Sequence, residues 1–191
     1  MRGPEVTGKR HVGLALASFM PADVTNSYVD WLRDTQVTAF TEVNGEGVSL
    51  DGCVKYVTDN LNDPRAVLWR ILTRSHGHVG NMRISLDPRH CRGELALIVG
   101  RTDLHGQGIG RGAIALALGY AFGTLGLNKV TCGLYASNIA SHRAFAAAGF
   151  FEEGRFARHV LVNGEFEDTL RLAIFSEAYF ANNSRADISC E

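Results

Sequence analysis

Glu94-Leu-Ala-Leu-Ile-Val-Gly100 is followed, after Arg101-Thr-Asp-Leu104, by His105-Gly-Gln-Gly-Ile-Gly-Arg-Gly112 and then by the alanine- and leucine-rich run from Ala113 to Leu125. The first stretch is an apolar run of the kind found in strands buried on both faces. The last reads as a buried helix, closed by Gly126, because glycine is preferred just beyond a helix end. Between them, glycines alternate at positions 106, 108, 110 and 112. Glycine lets the backbone turn sharply and lets a ligand approach the main chain. The first N–H groups of a helix have no partners inside it. Strand, glycine loop and helix start therefore suit an anion, above all a pyrophosphate. The same glycines would also serve a tight turn and close helix packing with no ligand at all.

Upstream, His11 to Ser18 reads as a strand, and Val24, Tyr28, Trp31 and Leu32 recur at helical spacing in a helix from Ala22 to Arg33. Asp34 to Gly47 is polar and reads as a loop. Val54, Val57 and Leu61 mark a second helix that ends near Asn62-Asp63-Pro64, since proline disfavours helix in the residue before it. Ala66 to Thr73 and Val79 to Leu86 form a hairpin around Ser75-His76-Gly77. Downstream, Lys129 to Tyr135 is a strand, and Asn138 to Ala148 is a helix with an N-cap in Asn138 and Gly149 at its end. Phe150 to Val162 and Phe166 to Phe175 form a last hairpin around Asn163-Gly164. The order β-α-α-β-β-β-α-β-α-β-β gives a mixed α/β fold, a central sheet with helices on its faces. One domain covers residues 1–191, with a core from about 11 to 180 and a polar, flexible tail over 181–191.

Composition narrows the function classes. The chain has 191 residues, 46% hydrophobic and 20% charged, with a formal net charge of −1. That charge supplies no general field for nucleic acid, and no apolar run approaches a membrane span. Arg2, Lys9 and Arg10 before the apolar run from Val12 to Phe19 look faintly like a signal peptide, but the run is short and Pro21-Ala-Asp23 follows it. Cys53, Cys91, Cys132 and Cys190 form no CxxC pair and read as reduced thiols of a cytoplasmic protein. His76-Gly-His78 and His90-Cys91 are the nearest approach to a metal set, and no HxxxH or HExxH motif occurs, so no metal is expected.

Three phosphate loops compete for the glycines. A Walker loop needs GxxxxGK[ST], which is absent. A dinucleotide loop is matched weakly by Gly108-x-Gly110-x-x-Ala113, but it expects an acidic residue ~20 positions on. From Leu104 to Phe151 there is no Asp or Glu, while Arg111, Lys129 and Arg143 supply positive charge. The third is the acyl-CoA loop, and here the chain resembles the GNAT N-acetyltransferases. Their Gln/Arg-x-x-Gly-x-Gly/Ala appears as His105-x-x-Gly108-x-Gly110. Their Asn-x-x-Ser/Ala and following Gly-Phe pair appear as Asn138-Ile-Ala-Ser141 and Gly149-Phe150. Glu153-Gly154-Arg155, Asn163-Gly164-Glu165 and Trp31-Leu32-Arg33-Asp34 look like the family as well. The likeness runs over nearly the whole chain. It is strongest to the branch that acetylates ribosomal-protein N-terminal alanine, polyamines and aminosugar nucleotides.

The resemblance implies acetyl-CoA as co-substrate and direct attack by a primary amine in a ternary complex. The acceptor is a small molecule or a peptide; an N-terminal peptide, an aminosugar nucleotide and a polyamine all stay open, with Asp34, Glu42 and Glu46 able to favour the last. The attacking ammonium must lose a proton and the developing oxyanion needs a donor. By carry-over, the main chain of Leu97, Ile98 and Val99 pairs with the pantetheine arm. Amides of Gly106, Gln107, Gly108, Ile109, Gly110 and Arg111 hold the pyrophosphate, and His105 opens this cofactor-binding loop. Asn138, Ser141 and Arg143 line the far side, and Phe145 belongs to the cofactor-binding set. Glu94 is the expected base, directly or through water, with Glu152 and Glu153 as weaker candidates. Two positions depart from the pattern. Phe145 stands where the family often has a tyrosine that protonates the thiolate, so the thiolate leaves unprotonated or Tyr135 serves instead. His105 replaces Gln or Arg. A non-catalytic acyl-CoA-binding module and a nucleotide-binding oxidoreductase remain as alternatives, and a twofold homodimer is the default assembly.

Overall fold

The apolar run at Glu94 lies in the interior of a sheet whose strands are visible in the computed structural model of the chain, which describes residues 3–8, 11, 13–43, 45–162, 164–183 and 188–190. The strands are β1 (Val6–Gly8), β2 (Leu14–Ser18), β3 (Ala66–Thr73), β4 (Gly77–Asp87), β5 (Arg92–Val99), β6 (Lys129–Tyr135), β7 (Phe151–Val162), β8 (Glu165–Phe175) and β9 (Ile188–Cys190). They form one sheet in the order β7-β8-β6-β5-β4-β3-β2-β1-β9. The described pairs are antiparallel except β5–β6. The helices are α1 (Asn26–Arg33), α2 (Thr35–Thr38), α3 (Leu50–Asn62), α4 (Ile109–Gly119), α5 (Ile139–Ala147) and α6 (Ser176–Asn182).

The sheet divides two cores. Leu95, Leu97, Ile84 and Trp69 pack with Ile114, Leu118 and Phe145 on the side of α4 and α5. Leu68 and Ile98 pack with Phe19, Tyr28, Leu32 and Val57 on the side of α1 and α3. Trp69 is wholly buried, and its Nε1–H donates to Pro4 O at 3.1 Å, so its one polar atom is satisfied. Thr25, Ser49 and Asn138 cap α1, α3 and α5 by accepting from the N–H of Tyr28, Gly52 and Ser141, each worth about 1 kcal/mol.

Several boundaries differ from the sequence reading. The first helix begins at Asn26 rather than Ala22, because Pro21–Asp23 closes a separate 3-10 turn and Thr25 supplies the cap. The helix expected from Ala113 begins at Ile109, inside the glycine loop, and ends in a π-helical turn over Tyr120–Thr124. Strand β1 was hidden by its short length. β9 places part of the expected tail in the sheet by pairing with β1, whose outer edge offers unpaired backbone groups. Arg2, Lys9, Arg10 and Val12 of the signal-like start, Asn163 of the last turn and 184–187 of the tail lie outside the described residues. Among the described residues no helix is long and apolar enough to cross a membrane.

Two glycines fix how β4 and β5 meet the helices. The β3–β4 register shifts between Ile71 and Leu72, which makes Val79 the extra residue of a bulge. Beside it, a Cβ at Gly80 would lie 2.3 Å from Ile98 O. At the end of β5, Trp31 fills the place of a side chain on Gly100, where a Cβ would lie 2.0 Å from Trp31 Cδ2. We expect Gly80→Ala to destabilise by about 1–3 kcal/mol, several degrees in Tm, because backbone cannot step aside as a side chain can. An unchanged melting curve would show that the strands are not this close.

Candidate active site

β5 and β6 pair for only three residues, Arg92, Gly93 and Glu94 against Lys129, Val130 and Thr131. Beyond that point β5 stays with β4 as far as Val99, and β6 stays with β8 as far as Tyr135. Each strand keeps its outer neighbour and loses the inner one, which opens a gap within the sheet. Gly100 N–H donates to Val79 O at 2.9 Å. Bonded and non-bonded positions alternate along an antiparallel ladder, so Leu97 and Val99 turn their N–H and C=O into the gap. His105 agrees with this, since its Nε2 lies 2.9 Å from Val99 O. The departure at His105 thus has a definite place: the ring ties the glycine loop to the end of β5.

The loop then delivers the start of α4 beside the gap. Gly108 caps the helix in the left-handed region, with φ of 80°, and has no side chain to satisfy the N–H groups that follow. Gly112 N–H bonds Gly108 O at 2.9 Å as the first link of the helix ladder. The N–H groups of Ile109, Gly110 and Arg111 precede that link and carry the positive end of the dipole. A Cβ at Gly106 or Gly108 would meet nothing within 4 Å, whereas one at Gly110 would stand 3.4 Å from Leu97 Cδ1. The arrangement fits an elongated ligand with a pyrophosphate at the helix start and an extended arm along Leu97 and Val99.

A cavity of about 670 Å³ passes through the gap. Leu97, Ile98, Asn138, Ser141 and Phe145 all line it. Asn138 Oδ1 accepts from Ser141 N–H at 3.1 Å, so its visible role is the cap of α5. Phe145 is buried and meets Phe150 edge-on at 4.9 Å, a core contact as well as a wall. Arg143 is exposed on α5. Arg111 lines a separate cavity of about 400 Å³ between α4 and α6.

Glu94 sits where the strands part, and it accepts from Arg171 Nη1 at 2.5 Å. Gly133 leaves room for this pair, since a Cβ there would lie 3.8 Å from Glu94 Oε1 and 3.9 Å from Arg171 Nη1. Tyr135 donates its hydroxyl to Glu42 across the cavity mouth. Burial, together with the hydrogen bond and charge of Glu42, pushes that hydroxyl up to about 12. Glu152 and Glu153 serve surface pairs with Arg155 and Lys129. His78 is held among Phe19, Tyr28 and Trp31 with Nε2 on Asn81 Oδ1 at 2.8 Å, and burial lowers its pKa. No group of three or more His, Cys, Asp or Glu is placed to hold a metal among the described residues.

Sequence reasoning did not find Arg171, nor the cavity residues Tyr56 and Arg83. Arg171 had no signal, because only the sheet order brings β8 and β5 to either side of β6. Arg83 had one: Asn81, Arg83 and Ser85 alternate with Met82, Ile84 and Leu86 in an interior strand.

Residues 14–151 match the family model described as an acetyltransferase (GNAT) domain. The chain is 38% identical over 72 residues to the probable N-acetyltransferase YjcK of Bacillus subtilis, covering 38% of this chain and 40% of that protein. It is 26% identical over 100 residues to the spermidine N(1)-acetyltransferase of Escherichia coli, covering 52% of this chain and 53% of that one. The matches thus span about half the length of these curated relatives, or less. The crystal structure of spermidine N-acetyltransferase from Vibrio cholerae in complex with CoA and spermine superposes with a TM-score of 0.79 at 20% identity, over 88% of this chain and 98% of that one. That likeness shows the fold.

Two outcomes test the geometry. Gly110→Glu places a carboxylate at the uncapped helix start, and acetyl-CoA should then give no thermal shift; an unchanged shift would remove the loop from the site. In an ultraviolet phenolate titration, Tyr135→Phe should delete a group that titrates well above the ordinary 10.0. The raised value means that the neutral hydroxyl is favoured in the folded protein, so its contribution is complete below pH 10 and is lost as pH climbs toward 12. Loss of a group titrating near 10 would show that the bond to Glu42 does not hold in solution.

Proposed function

The chain belongs to the GNAT acetyltransferase family, and we propose that it moves an acetyl group from acetyl-CoA directly to a primary amine in a ternary complex. The observation that carries this reading is the gap between β5 and β6 opening beside the uncapped start of α4. Family membership and the relatives' names support the same chemistry.

Acetyl-CoA supplies the activated thioester. The N–H groups at the start of α4 would hold its pyrophosphate. Leu97 and Val99 would pair with its arm as a missing strand would, which satisfies backbone groups that otherwise face the gap. Such pairing orients the thioester and excludes water. Glu94, fixed by Arg171 at the branch point of the strands, is the proposed proton acceptor for the ammonium, directly or through one water. Glu42 lines the cavity itself and is the next carboxylate able to attract the amine. The cysteines do not favour a covalent acyl intermediate. Burial raises the thiol of Cys53, which lines the cavity, and pushes Cys132 up to about 12. Phe145 cannot donate a proton, and the hydroxyl of Tyr135 is engaged by Glu42, so the CoA thiolate departs unprotonated or through water.

Thermal unfolding with acetyl-CoA, NADH and ATP tests the reading. Acetyl-CoA at 100 times its Kd should add about 2.7 kcal/mol, a rise of roughly 5–10 °C at this size, and the other two should add nothing. A rise with NADH alone would revive a dinucleotide site. Glu94→Gln should lower kcat about 10²-fold or more, with little change in acetyl-CoA affinity. Undiminished turnover across pH would exclude Glu94 as the base.

A further inference from the structure

The polar stripe on β4 leads to Arg83, a cation in the cavity wall with no ion pair within 4.0 Å among the described residues. Asn81, Arg83 and Ser85 face the side of α1 and α3, where the cavity continues past the sheet. Arg83 Nε donates to Asn60 Oδ1 at 2.6 Å, and its Nη1 donates to Ser85 Oγ. Asn60 is itself buried and tied to its own helix by Nδ2 on Tyr56 O at 2.9 Å. The guanidinium is therefore held in one orientation before any ligand arrives.

Arg65, Arg70, Arg92, Arg101, Arg155 and Arg171 each lie within 4.0 Å of a carboxylate. Arg83, like Arg33, Arg111 and Arg143, forms no such pair among the described residues, and of these four it is the one that lines the cavity. Asp63, an acid whose charge it influences, is held low first by the backbone N–H of Arg65 and only last by Arg83. Burial raises the hydroxyl of Tyr56 against the pull of Arg83, which puts that hydroxyl in the same field. The rest of the lining is largely apolar, including Tyr28, Leu68 and Met82, and among the described residues its charged members are Glu42 and Arg83. A charge facing apolar walls with only neutral hydrogen-bond partners is costly until an anion reaches it. A pre-oriented guanidinium also loses little freedom when it binds one.

We infer that Arg83 receives an anionic group of the acceptor, so that the substrate is an amine that also carries a carboxylate or a phosphate. This rests on the acetyl-transfer reading and narrows it. The amine points to the gap, near Glu42 and Glu94, and the anion to Arg83. One carboxylate and one guanidinium match a zwitterion; a polyamine would bring positive charge against Arg83. Arg83 is then a specificity-determining residue, not a participant in bond making.

The test uses the full chain with saturating acetyl-CoA and follows release of CoA thiol. Two matched pairs differ only in the anion: phenylalanine against phenethylamine, and glucosamine 6-phosphate against glucosamine. Spermidine is the polycation. At least one amine that carries an anion should exceed its anion-free partner by about tenfold or more in kcat/KM, and the pair that shows the gain tells carboxylate from phosphate. Arg83→Gln should erase that gain through KM with kcat nearly unchanged, and Arg83→Lys should keep part of it. Equal use within both pairs, preference for spermidine, or a gain that survives Arg83→Gln overturns the inference and leaves acetyl transfer standing. No thiol release with any of the five amines, despite a thermal shift with acetyl-CoA, counts against both. The matched pairs on the unmutated chain decide the matter if Arg83→Gln does not fold.

Discussion

Two strands inside a continuous sheet turn unpaired backbone toward each other, and the rest of the molecule is arranged around that fact. A sheet normally satisfies its interior N–H and C=O groups strand by strand, and an orphaned interior group is costly. Here the pairing of β5 with β6 ends at Glu94 and Thr131 while the outer ladders continue. The outer ladders make the gap rigid, because β5 is held by β4 and β6 by β8 along their lengths. A slot of this kind is complementary to an extended chain with amide groups of its own. The same constraint explains why the glycine loop follows β5: there a helix begins beside the open edge with no side chain capping it, whereas α5, which begins beyond β6, is capped by Asn138.

The division of the sheet into two faces then separates two tasks. On the side of α4, the larger core fixes the depth of the helix, and a Cβ at Gly112 would already lie 2.6 Å from Leu14 Cδ2. The uncapped start of α4 is thus seated on packed core. On the side of α1 and α3, a smaller cluster leaves the cavity open, with walls supplied by the segment around Phe40–Ser49. Arg33 braces that segment by donating to Val48 O from Nε at 3.1 Å and Nη2 at 2.7 Å. One side favours exact placement of whatever meets the helix start, and the other leaves room for variation.

What could be read from the sequence follows from which signals are local. The β5–loop–α4 unit was legible because glycine alternation, an apolar strand and a helix start are adjacent in the chain. The caps at Asn138 and Gly149 were legible for the same reason. The extension of α4 back to Ile109 was missed because glycines argue against helix by propensity, and here the tertiary packing of Gly110 and Gly112 overrides it. The Glu94–Arg171 pair lay beyond reach because it depends on strand order, which no periodicity reveals. The Tyr135–Glu42 bond spans a loop with no pattern of its own. Phe145 is instructive in another way. The sequence marked it as a departure from a catalytic tyrosine, and its position in the structure is a wall of the cavity joined to the core through Phe150.

Trp31, lying over Gly100 with His78 at a centroid separation of 5.1 Å, has a practical consequence. The chain contains 2 tryptophans, and the other, Trp69, is sealed in the opposite core with no exposure. Its emission is insulated from events at the surface. Trp31 instead rests on the residue that leads from β5 toward the glycine loop, so the molecule carries a native fluorophore at the end of β5. Occupancy of the slot is therefore open to optical measurement in real time, on the unlabelled protein and before any acceptor is known.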